Sequence, residues 1–507
     1  MTTRPYCAVY DFELMPYALG DVLTWNVQTA IRCEELGRDR VDAYICIDER
    51  HPASIYQKDL VTADNSNLFF NELTGAFGTH PMPGNLFVFR RREDLLEHLR
   101  EAARGDEANG RTLSDYERAL QRRGDTDAVI GNFTTAIHSH EQINAFAAKH
   151  GRVPPLRASL GCEPDVAGLL ETRFASKRIV VAHMRLRRLD AGYGGAHTYA
   201  RDSDFLEWYE FLKEAGKKHP DVQFVVVGRL QEKPLELLKL PNVVSLRVLG
   251  LGLGHELTLM LRSDLFIGTS SGFAAMVNFS IVPYFITRMT PASCSAYRIE
   301  YGARRLPFAT DRQILVYEPE TSAMLMNLLE QGLQGVPPRS DTPGPPADGP
   351  VDVRSWEWER SRWLHPGATT FRFFTGDGYA AKETAFLLWP KVKQARSAWR
   401  DGQAGQSWTI LQRLEANFPD ACGKFPELLR LRKKLAAARS DDKNRKSCED
   451  RLQALAAQKK GGFAAALMRY LHRGYPLAMW LKYVWKRKHR IPRKLMVLIK
   501  SRITEPA

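Results

Sequence analysis

A cluster of basic side chains follows an apolar run in the middle of this chain. The run ends in His183, and Arg185, Arg187 and Arg188 come next, followed by a glycine-rich stretch at residues 190–197. Arginine forks pair with phosphate oxygens through two parallel hydrogen bonds. Because ligands of a doubly wound sheet lie beyond the carboxyl ends of its strands, these side chains could hold a diphosphate. The alternative is a solvated run of charge without a ligand.

A second candidate is the turn at residues 268–272, between an apolar run and a helical one. It contains the hydroxyl side chains of Thr269, Ser270 and Ser271 and ends in Gly272. Small residues let the backbone approach a ligand, hydroxyls donate to phosphate, and a helix start favours an anion. The turn therefore predicts a further phosphate contact, although serine also caps helices where no ligand is bound.

The elements that must position these residues are read from the alternation of strand-like and helical runs. This alternation extends through residues 1–155, where 127–133 is an expected strand, and again through residues 156–336, where Ser203 is an expected N-cap. It predicts two tandem Rossmann-like, doubly wound α/β units with a cleft between them. The central strands are continuous apolar runs, which is typical of parallel strands buried on both faces.

Three further segments follow the second unit. Residues 337–352 are rich in proline and glycine and are predicted to be a linker. Residues 353–450 begin with a tryptophan-rich stretch and continue with helices, of which the pair near 395–435 weakly resembles a single tetratricopeptide unit. Residues 451–507 form a basic tail, so that an all-helical basic extension is expected at the C-terminus.

The tail carries nearly all of the net charge of the protein. It has 14 Lys and Arg against one acid, or +13 of the formal +14. Apolar and aromatic residues recur in it at helical spacing, which is typical of an amphipathic helix lying on an anionic membrane. The alternatives are a helical hairpin packed on the protein itself and an RNA-binding arm; the membrane is the favoured partner, and no nucleic acid is expected. The candidate membrane contacts are Trp480, Lys482, Trp485, Lys486, Arg487 and Lys488.

The cysteines and the N-terminal sequence indicate the cellular compartment in which the protein is expected to lie. The seven cysteines are an odd number and form no CxxC pair, so neither a disulfide framework nor a zinc site is indicated. The first residues enter a strand-like run without the apolar segment of a secretory signal. These features predict a cytoplasmic protein, held peripherally on the inner face of the membrane by its tail.

The two Rossmann-like units and the two candidate sites together resemble the GT-B glycosyltransferases, most of all their fucosyltransferase-like branch, which uses GDP-fucose. The resemblance is strongest in residues 177–288. In that branch an HxR motif ends the first strand of the donor half and its arginine contacts the diphosphate. The resemblance carries this role to Arg185, with His183 before it, and matches the serine-rich turn at Ser270 and Ser271.

The N-terminal half should hold the acceptor in such a fold. An inverting transfer needs a base to deprotonate the attacking hydroxyl. Asp21 is the first candidate, with Asp11, His138 and His140 behind it, while the simpler interpretation of Asp21 is the N-cap of a helix beginning at Val22. Together with Arg185, Asp21 is a candidate catalytic residue.

No Asp-x-Asp motif follows a predicted strand, so we expect no metal and no cofactor beyond a nucleotide-sugar co-substrate. The resemblance implies transfer of a sugar from a nucleoside-diphosphate sugar, with a GDP-sugar favoured, to a lipid-linked or cell-envelope glycan. The alternatives are a sugar-nucleotide epimerase of the same fold and a scaffold without catalytic activity.

Overall fold

The structure is a computed structural model. It describes residues 4–337 and 384–456, apart from short gaps at 55–56, 58–60, 124–129, 131–132, 134–135, 187–200, 230–232, 385–386 and 425. The described residues up to Lys393 form one compact unit, and those from Gln394 onward form a second. All of the expected linker after Pro337, the tryptophan-rich stretch and most of the expected basic tail lie outside the described residues.

The N-terminal half of the first unit is a parallel sheet covered by helices. Its three described strands pair in the order β1-β2-β3. The elements are β1 (Tyr6–Asp11), α1 (Leu19–Glu35), β2 (Val41–Cys46), α2 (Ser66–Phe77), β3 (Pro83–Phe89), α3 (Arg92–Ala103), α4 (Glu107–Gln121) and α5 (Ala136–His150). The strand expected at 127–133 falls mostly outside the described residues, where Ile130 and Phe133 form an isolated antiparallel bridge.

The C-terminal half of the first unit contains a six-stranded parallel sheet of order β6-β5-β4-β7-β8-β9. Its strands are short runs of mainly β-branched and aromatic residues, buried throughout the sheet centre, as the sequence predicts. The elements are α6 (Glu163–Glu171), β4 (Arg178–His183), α7 (Phe205–Lys218), β5 (Val222–Val226), α8 (Leu235–Leu238), β6 (Val243–Val244), α9 (Leu253–Leu261), β7 (Leu265–Thr269), α10 (Gly272–Asn278), β8 (Tyr284–Thr287), α11 (Pro291–Tyr297), β9 (Gln313–Leu315) and α12 (Ser322–Leu333).

The strand order places a crevice between β4 and β7. The chain runs outward from β4 to β6 on one side and from β7 to β9 on the other, so the direction of winding reverses between these two strands. His183 at the end of β4 lies opposite Gly268 near the end of β7. Ligands of open α/β sheets bind outside the carboxyl ends at such a reversal. The prediction of tandem Rossmann-like α/β halves is confirmed, and this crevice is flanked by His183 and Arg185 on one side and by the turn at 268–272 on the other.

The two halves share a buried core and touch through glycines. A Cβ added to Gly75 in α2 would lie 2.7 Å from Gly254 Cα in α9, and a Cβ added to Gly272 in α10 would lie 2.9 Å from the backbone nitrogen of Gly20 in α1. Both distances are shorter than real Cβ contacts allow. The absence of side chains at these positions is therefore what lets the helices of the two halves approach so closely.

A buried ion-pair chain joins the same two helices. One Nη of Arg247 lies 3.2 Å from Glu72 Oε1 in α2, and the other lies 2.9 Å from Glu256 Oε2 in α9. All three side chains are buried. Because a buried charge without a partner is costly, these two ion pairs favour one fixed contact between α2 and α9.

The second unit is helical. The helix α13 (Trp389–Arg400) begins in the first unit and ends in the second, and α14 (Ala404–Asn417), α15 (Pro419–Lys424), α16 (Pro426–Ala438) and a helix over residues 442–456 follow. The predicted C-terminal helical region is thus present as far as residue 456. Of the helices that the structure describes, none has the length and apolar character required to cross a bilayer.

Candidate functional site

His183 is the last residue of β4 and lies inside the crevice wall. Its Nδ1 donates to the carbonyl oxygen of Val227 at 3.3 Å, and its ring packs on Phe273 at 4.8 Å between centroids. Burial, together with the charges of Lys233 and Arg185, lowers the pKa of His183 to about 3. The imidazole is therefore neutral near pH 7, so His183 shapes the crevice and adds no positive charge to it.

Arg185 leaves the strand two residues later and is held by residues 202 and 203. Its backbone N–H donates to Ser203 Oγ at 3.2 Å, and its carbonyl accepts from the Ser203 N–H at 2.9 Å. Its Nε lies 3.6 Å from Asp202 Oδ1. The guanidinium predicted to contact a diphosphate is thus mostly buried and fixed at the crevice edge. Arg187, the other predicted donor contact, lies outside the described residues.

The turn after β7 contains two hydroxyls without a hydrogen-bond partner among the described residues. They are Thr269 Oγ1, which is completely buried, and Ser271 Oγ. Ser271 is the N-cap of α10, but its side chain makes no capping bond. Ser271 therefore occupies the N-cap position, but the expectation that its hydroxyl caps the helix is wrong. Buried hydroxyls normally have partners, so these two oxygens are polar groups that the described residues leave unsatisfied beside the crevice.

The turn is also held in place by backbone bonds. The Ser270 N–H donates to the carbonyl oxygen of Thr287 at the end of β8 at 3.2 Å, and the Ser270 carbonyl accepts from Arg201 Nη1 at 3.3 Å. Arg201 was missed in the sequence because the loop that contains it has no periodicity. It brings a further guanidinium to the turn that the sequence identified at 268–272.

Other basic residues at the strand exits were also missed. Arg229 follows β5, with its guanidinium carbon 5.8 Å from the ring centre of Phe69 in α2, and Arg288 follows β8. Lys233 is completely buried below Gly228, where an added Cβ would lie 2.9 Å from Lys233 Nζ. An arginine within three residues after a parallel strand is the signal that would have found Arg229 and Arg288.

Asp21 lies in the first turn of α1 and is half-buried. The helix begins at Leu19 with Ala18 as its N-cap, so the expectation that Asp21 caps a helix beginning at Val22 is wrong. A carboxylate in the first turn is favoured by the helix dipole without capping. Since Gly20 of the same turn contacts Gly272, the structure brings the turn of Asp21 to the start of α10.

The other candidate bases are engaged elsewhere. Asp11 is completely buried, and its carboxylate accepts from Arg92 Nε at 2.7 Å, from Arg92 Nη2 at 3.0 Å, from Tyr116 Oη at 2.7 Å and from the Glu13 N–H at 2.9 Å. His140 is buried between the rings of Phe279 and Tyr297, and burial lowers its pKa to about 4. The side chain of His138 lies outside the described residues.

A cavity of about 410 Å³ lies away from these residues. It is enclosed by α1, α4 and α5 and by the start of β1, and its lining includes Gln28, Arg32, Thr112 and Phe146. None of the residues that line it belongs to the crevice between β4 and β7. We therefore place the candidate site at the crevice, where the turn with the orphaned hydroxyls and the strand exit with Arg185 lie on neighbouring strands.

Among the residues that the structure describes, no group of three or more His, Cys, Asp or Glu side chains is arranged to hold a metal ion. Metal independence stays a prediction.

No known family model matches this chain, and no curated protein matches it by sequence. Solved structures are similar in fold at low identity. The E. coli ADP-heptose LPS heptosyltransferase II is 11% identical with a TM-score of 0.40, over 65% of this chain and 98% of its own. A glycosyl transferase of family 9 from Veillonella parvula is 12% identical with a TM-score of 0.34, over 64% and 90% of the two chains. A putative UDP-N-acetylglucosamine 2-epimerase from Listeria monocytogenes is 11% identical with a TM-score of 0.33, over 75% and 95%.

Proposed function

We propose that this protein is a glycosyltransferase that takes its sugar from a nucleoside-diphosphate sugar and holds the diphosphate between β4 and β7. The observation that carries the proposal is the pair of orphaned hydroxyls, Thr269 Oγ1 and Ser271 Oγ, beside the guanidinium of Arg201 and at the point where the sheet reverses. Arg185 is fixed at the end of the neighbouring strand. Hydroxyl donors, guanidinium groups and a backbone turn are the groups that bind phosphate oxygens.

The proposed reaction assigns a role to Asp21 and to Arg185. The acceptor hydroxyl oxygen attacks the anomeric carbon, the bond from that carbon to the diphosphate oxygen breaks, and the nucleoside diphosphate leaves with the electron pair. Asp21, in the turn that meets the start of α10, receives the proton of the acceptor hydroxyl. Arg185 stabilises the negative charge that develops on the leaving diphosphate. No divalent cation is required for this charge compensation.

The finer proposal concerns the donor and the acceptor. We favour a GDP-sugar such as GDP-fucose, because of the resemblance of residues 177–288 to the fucosyltransferase-like branch. A lipid-linked or cell-envelope glycan is the favoured acceptor, since a tail with a charge of +13 would hold the enzyme on the inner, anionic face of a membrane. The protein would then be cytoplasmic and peripherally bound.

The first experiment is a thermal-shift screen of the full chain with GDP, UDP, ADP, dTDP and CMP. ADP is included because one of the solved structures similar in fold is an ADP-heptose LPS heptosyltransferase. A nucleotide at one hundred times its Kd stabilises the folded protein by about 2.7 kcal/mol and raises its Tm. No shift with any of the five would contradict a nucleotide-sugar enzyme and favour the scaffold. If one binds, hydrolysis or transfer that depends on added acceptor separates the transferase from an epimerase.

The membrane proposal has its own test. Full-length protein should co-sediment with anionic vesicles, less with neutral ones and less at high salt, because salt screens the attraction. Replacing Trp480 and Trp485 by Ser should weaken sedimentation even at low salt. Equal sedimentation of this variant and the parent would exclude insertion of the aromatic face.

A further inference from the structure

Residues 202–204, which we call the strap, connect Arg185 to a second group of charges. At one end Asp202 faces the Arg185 guanidinium, and Ser203 exchanges two hydrogen bonds with the Arg185 backbone at 3.2 and 2.9 Å. At the other end the Asp204 N–H donates to Glu320 Oε2 at 3.1 Å. The position of Arg185 therefore depends on where the strap is held.

The far end of the strap is held by a lysine that lies beyond the proline-rich segment in sequence. Lys391 Nζ lies 2.9 Å from Asp204 Oδ2 and 2.8 Å from Glu207 Oε1, and its side chain is only 11% exposed. Burial opposes the charge of Lys391, but the two carboxylates raise its pKa above the ordinary value. Lys391 is thus a buried cation that bridges the strap to α7.

The acids around Lys391 have fixed positions of their own. Glu207 Oε2 accepts from the N–H of Ser322 at 3.0 Å, and Glu320 Oε1 accepts from Thr287 Oγ1 at 2.7 Å. Glu207 and Glu320 are both buried, at 5% and 3% exposure. Without the cation, the carboxylates of Asp204 and Glu207 would lie close together with no positive charge from Lys391 between them, and their repulsion would push the Asp204 end of the strap away from α7.

We propose that Lys391 is a positioning residue of the donor site. Lys391 holds the strap, and the strap in turn fixes the position of Arg185. This inference rests on the proposed function for its consequence, since Arg185 matters to catalysis only if the crevice binds a diphosphate. The donor site would then need a residue from the start of α13, outside the Rossmann-like sequence that surrounds the rest of the crevice.

The first measurement is hydrogen exchange of the full chain without ligand. Lys391→Met keeps the length of the side chain and removes its charge. It should increase exchange at least tenfold in the peptides that contain Ser203 and Arg185, whose N–H groups are bonded across the strap. Lys393→Met is the matched control, because Lys393 is exposed on the same helix and should leave these peptides unchanged. Lys391→Arg should restore most of the protection.

The second measurement is titration of GDP and ADP into the same variants. Lys391→Met should raise the Kd of the nucleotide that binds the parent by about tenfold, and Lys391→Arg by less than threefold. Asp204→Asn, which keeps a capping side chain for α7 and weakens the pair from the other end, should reproduce both effects if Lys391→Met fails to fold.

Three results are decisive. A lowered Tm with unchanged exchange in the strap and an unchanged Kd would overturn the proposal, because Lys391 would then only anchor α13. Faster exchange in the strap together with a weaker Kd supports it. Faster exchange in a protein whose parent form binds neither GDP nor ADP would support the positioning of Arg185 and count against the nucleotide donor proposed above.

Discussion

The carboxyl ends of the two sheets carry opposite kinds of chemistry. At the end of β1, Asp11 and Glu13 face Arg92, which also lies 3.4 Å from Asp48, so acid and base neutralise each other within the protein. At the ends of β4 and β7, hydroxyls lack partners among the described residues and basic side chains collect at the strand exits. The comparison shows that charged side chains paired with each other, as at the end of β1, stabilise the fold. Unsatisfied hydroxyls near strand-exit arginines, as at the ends of β4 and β7, indicate a ligand.

The largest expected effect concerns the end of β1, which we call the first edge; the ends of β4 and β7 form the second edge. Arg92→Leu should lower the free energy of unfolding by about 3–5 kcal/mol, because it leaves Asp11 as a buried charge without its cation. Urea denaturation measures the change. Arg91→Leu is the control, since the Arg91 side chain is 67% exposed and its ion pairs are weak. A loss under 1 kcal/mol for Arg92→Leu would mean that this edge is not a structural network.

At the second edge the same kind of substitution should affect binding and spare the fold. Arg185→Ala should weaken nucleotide binding by about 2 kcal/mol, or roughly thirtyfold, because it removes a charge-assisted hydrogen bond to the diphosphate. Titration calorimetry gives the Kd and a thermal scan gives the Tm. The exposed Lys239→Ala serves as the control. Parent-like affinity of Arg185→Ala would show that this arginine is structural, as at the first edge.

The dependence of stability on acid pH should show whether the buried histidines are neutral in the folded protein. His183 and His140 have pKa values lowered by burial to about 3 and about 4, whereas in the unfolded chain they titrate near 6.5. Below pH 6.5 the unfolded chain binds protons that the folded protein does not, so stability falls as the pH falls toward the folded pKa.

The slope is about 1.4 kcal/mol per pH unit for each such histidine. His140→Phe should remove one such contribution between pH 6.5 and 5, as judged by urea denaturation at several pH values. A slope equal to that of the parent protein would mean that His140 charges in the folded state.

A pair of threonines sharpens the comparison further. Thr269→Val should leave the unliganded protein as stable as the parent or up to about 1 kcal/mol more stable, because the hydroxyl has no partner among the described residues, yet nucleotide binding should weaken by about 1 kcal/mol. Thr287→Val should instead destabilise the protein, because its hydroxyl donates to the buried Glu320 at 2.7 Å. If Thr269→Val destabilises as much as Thr287→Val does, the hydroxyl of Thr269 serves the fold.

The smallest expected effect is that of a chelator. Turnover measured with and without EDTA should be equal, since arginines and hydroxyls compensate the diphosphate charge in the proposed mechanism. Loss of most activity, restored by magnesium or manganese, would show that a cation replaces them.

The sequence predicts the second sheet well because each of its central strands is a buried apolar run bounded by turn residues. The turn at 268–272 could be identified for the same reason. Helix starts were predicted less well: Ala18 caps α1 without any polar side chain, and Asp204, not the predicted Ser203, caps α7 through its carboxylate. Neighbouring residues with similar capping propensity leave such a choice to tertiary packing.

Contacts between residues that are distant in sequence could not be predicted from the sequence. Nothing in the spacing of residues links Asp11 to Arg92 on α3, or Lys391 to Asp204 across the proline-rich segment. These contacts depend on how whole elements pack, whereas periodicity reports only the face that a single element buries. The sequence therefore located the crevice but not the residues that hold its parts in place.

The contact of Gly75 with Gly254 also limits how this protein can change over generations. A Cβ on Gly75 would lie 2.7 Å from Gly254 Cα, which is backbone, whereas one on Gly254 would lie 2.8 Å from Cys162 Sγ, which is the end of a side chain. A substitution at Gly75 therefore requires the facing helix to move, while one at Gly254 requires only that the Cys162 side chain turn away. Descendants of this chain should keep Gly75 or replace the surrounding helices as a block, which makes this glycine a marker for alignments too remote for sequence identity to guide.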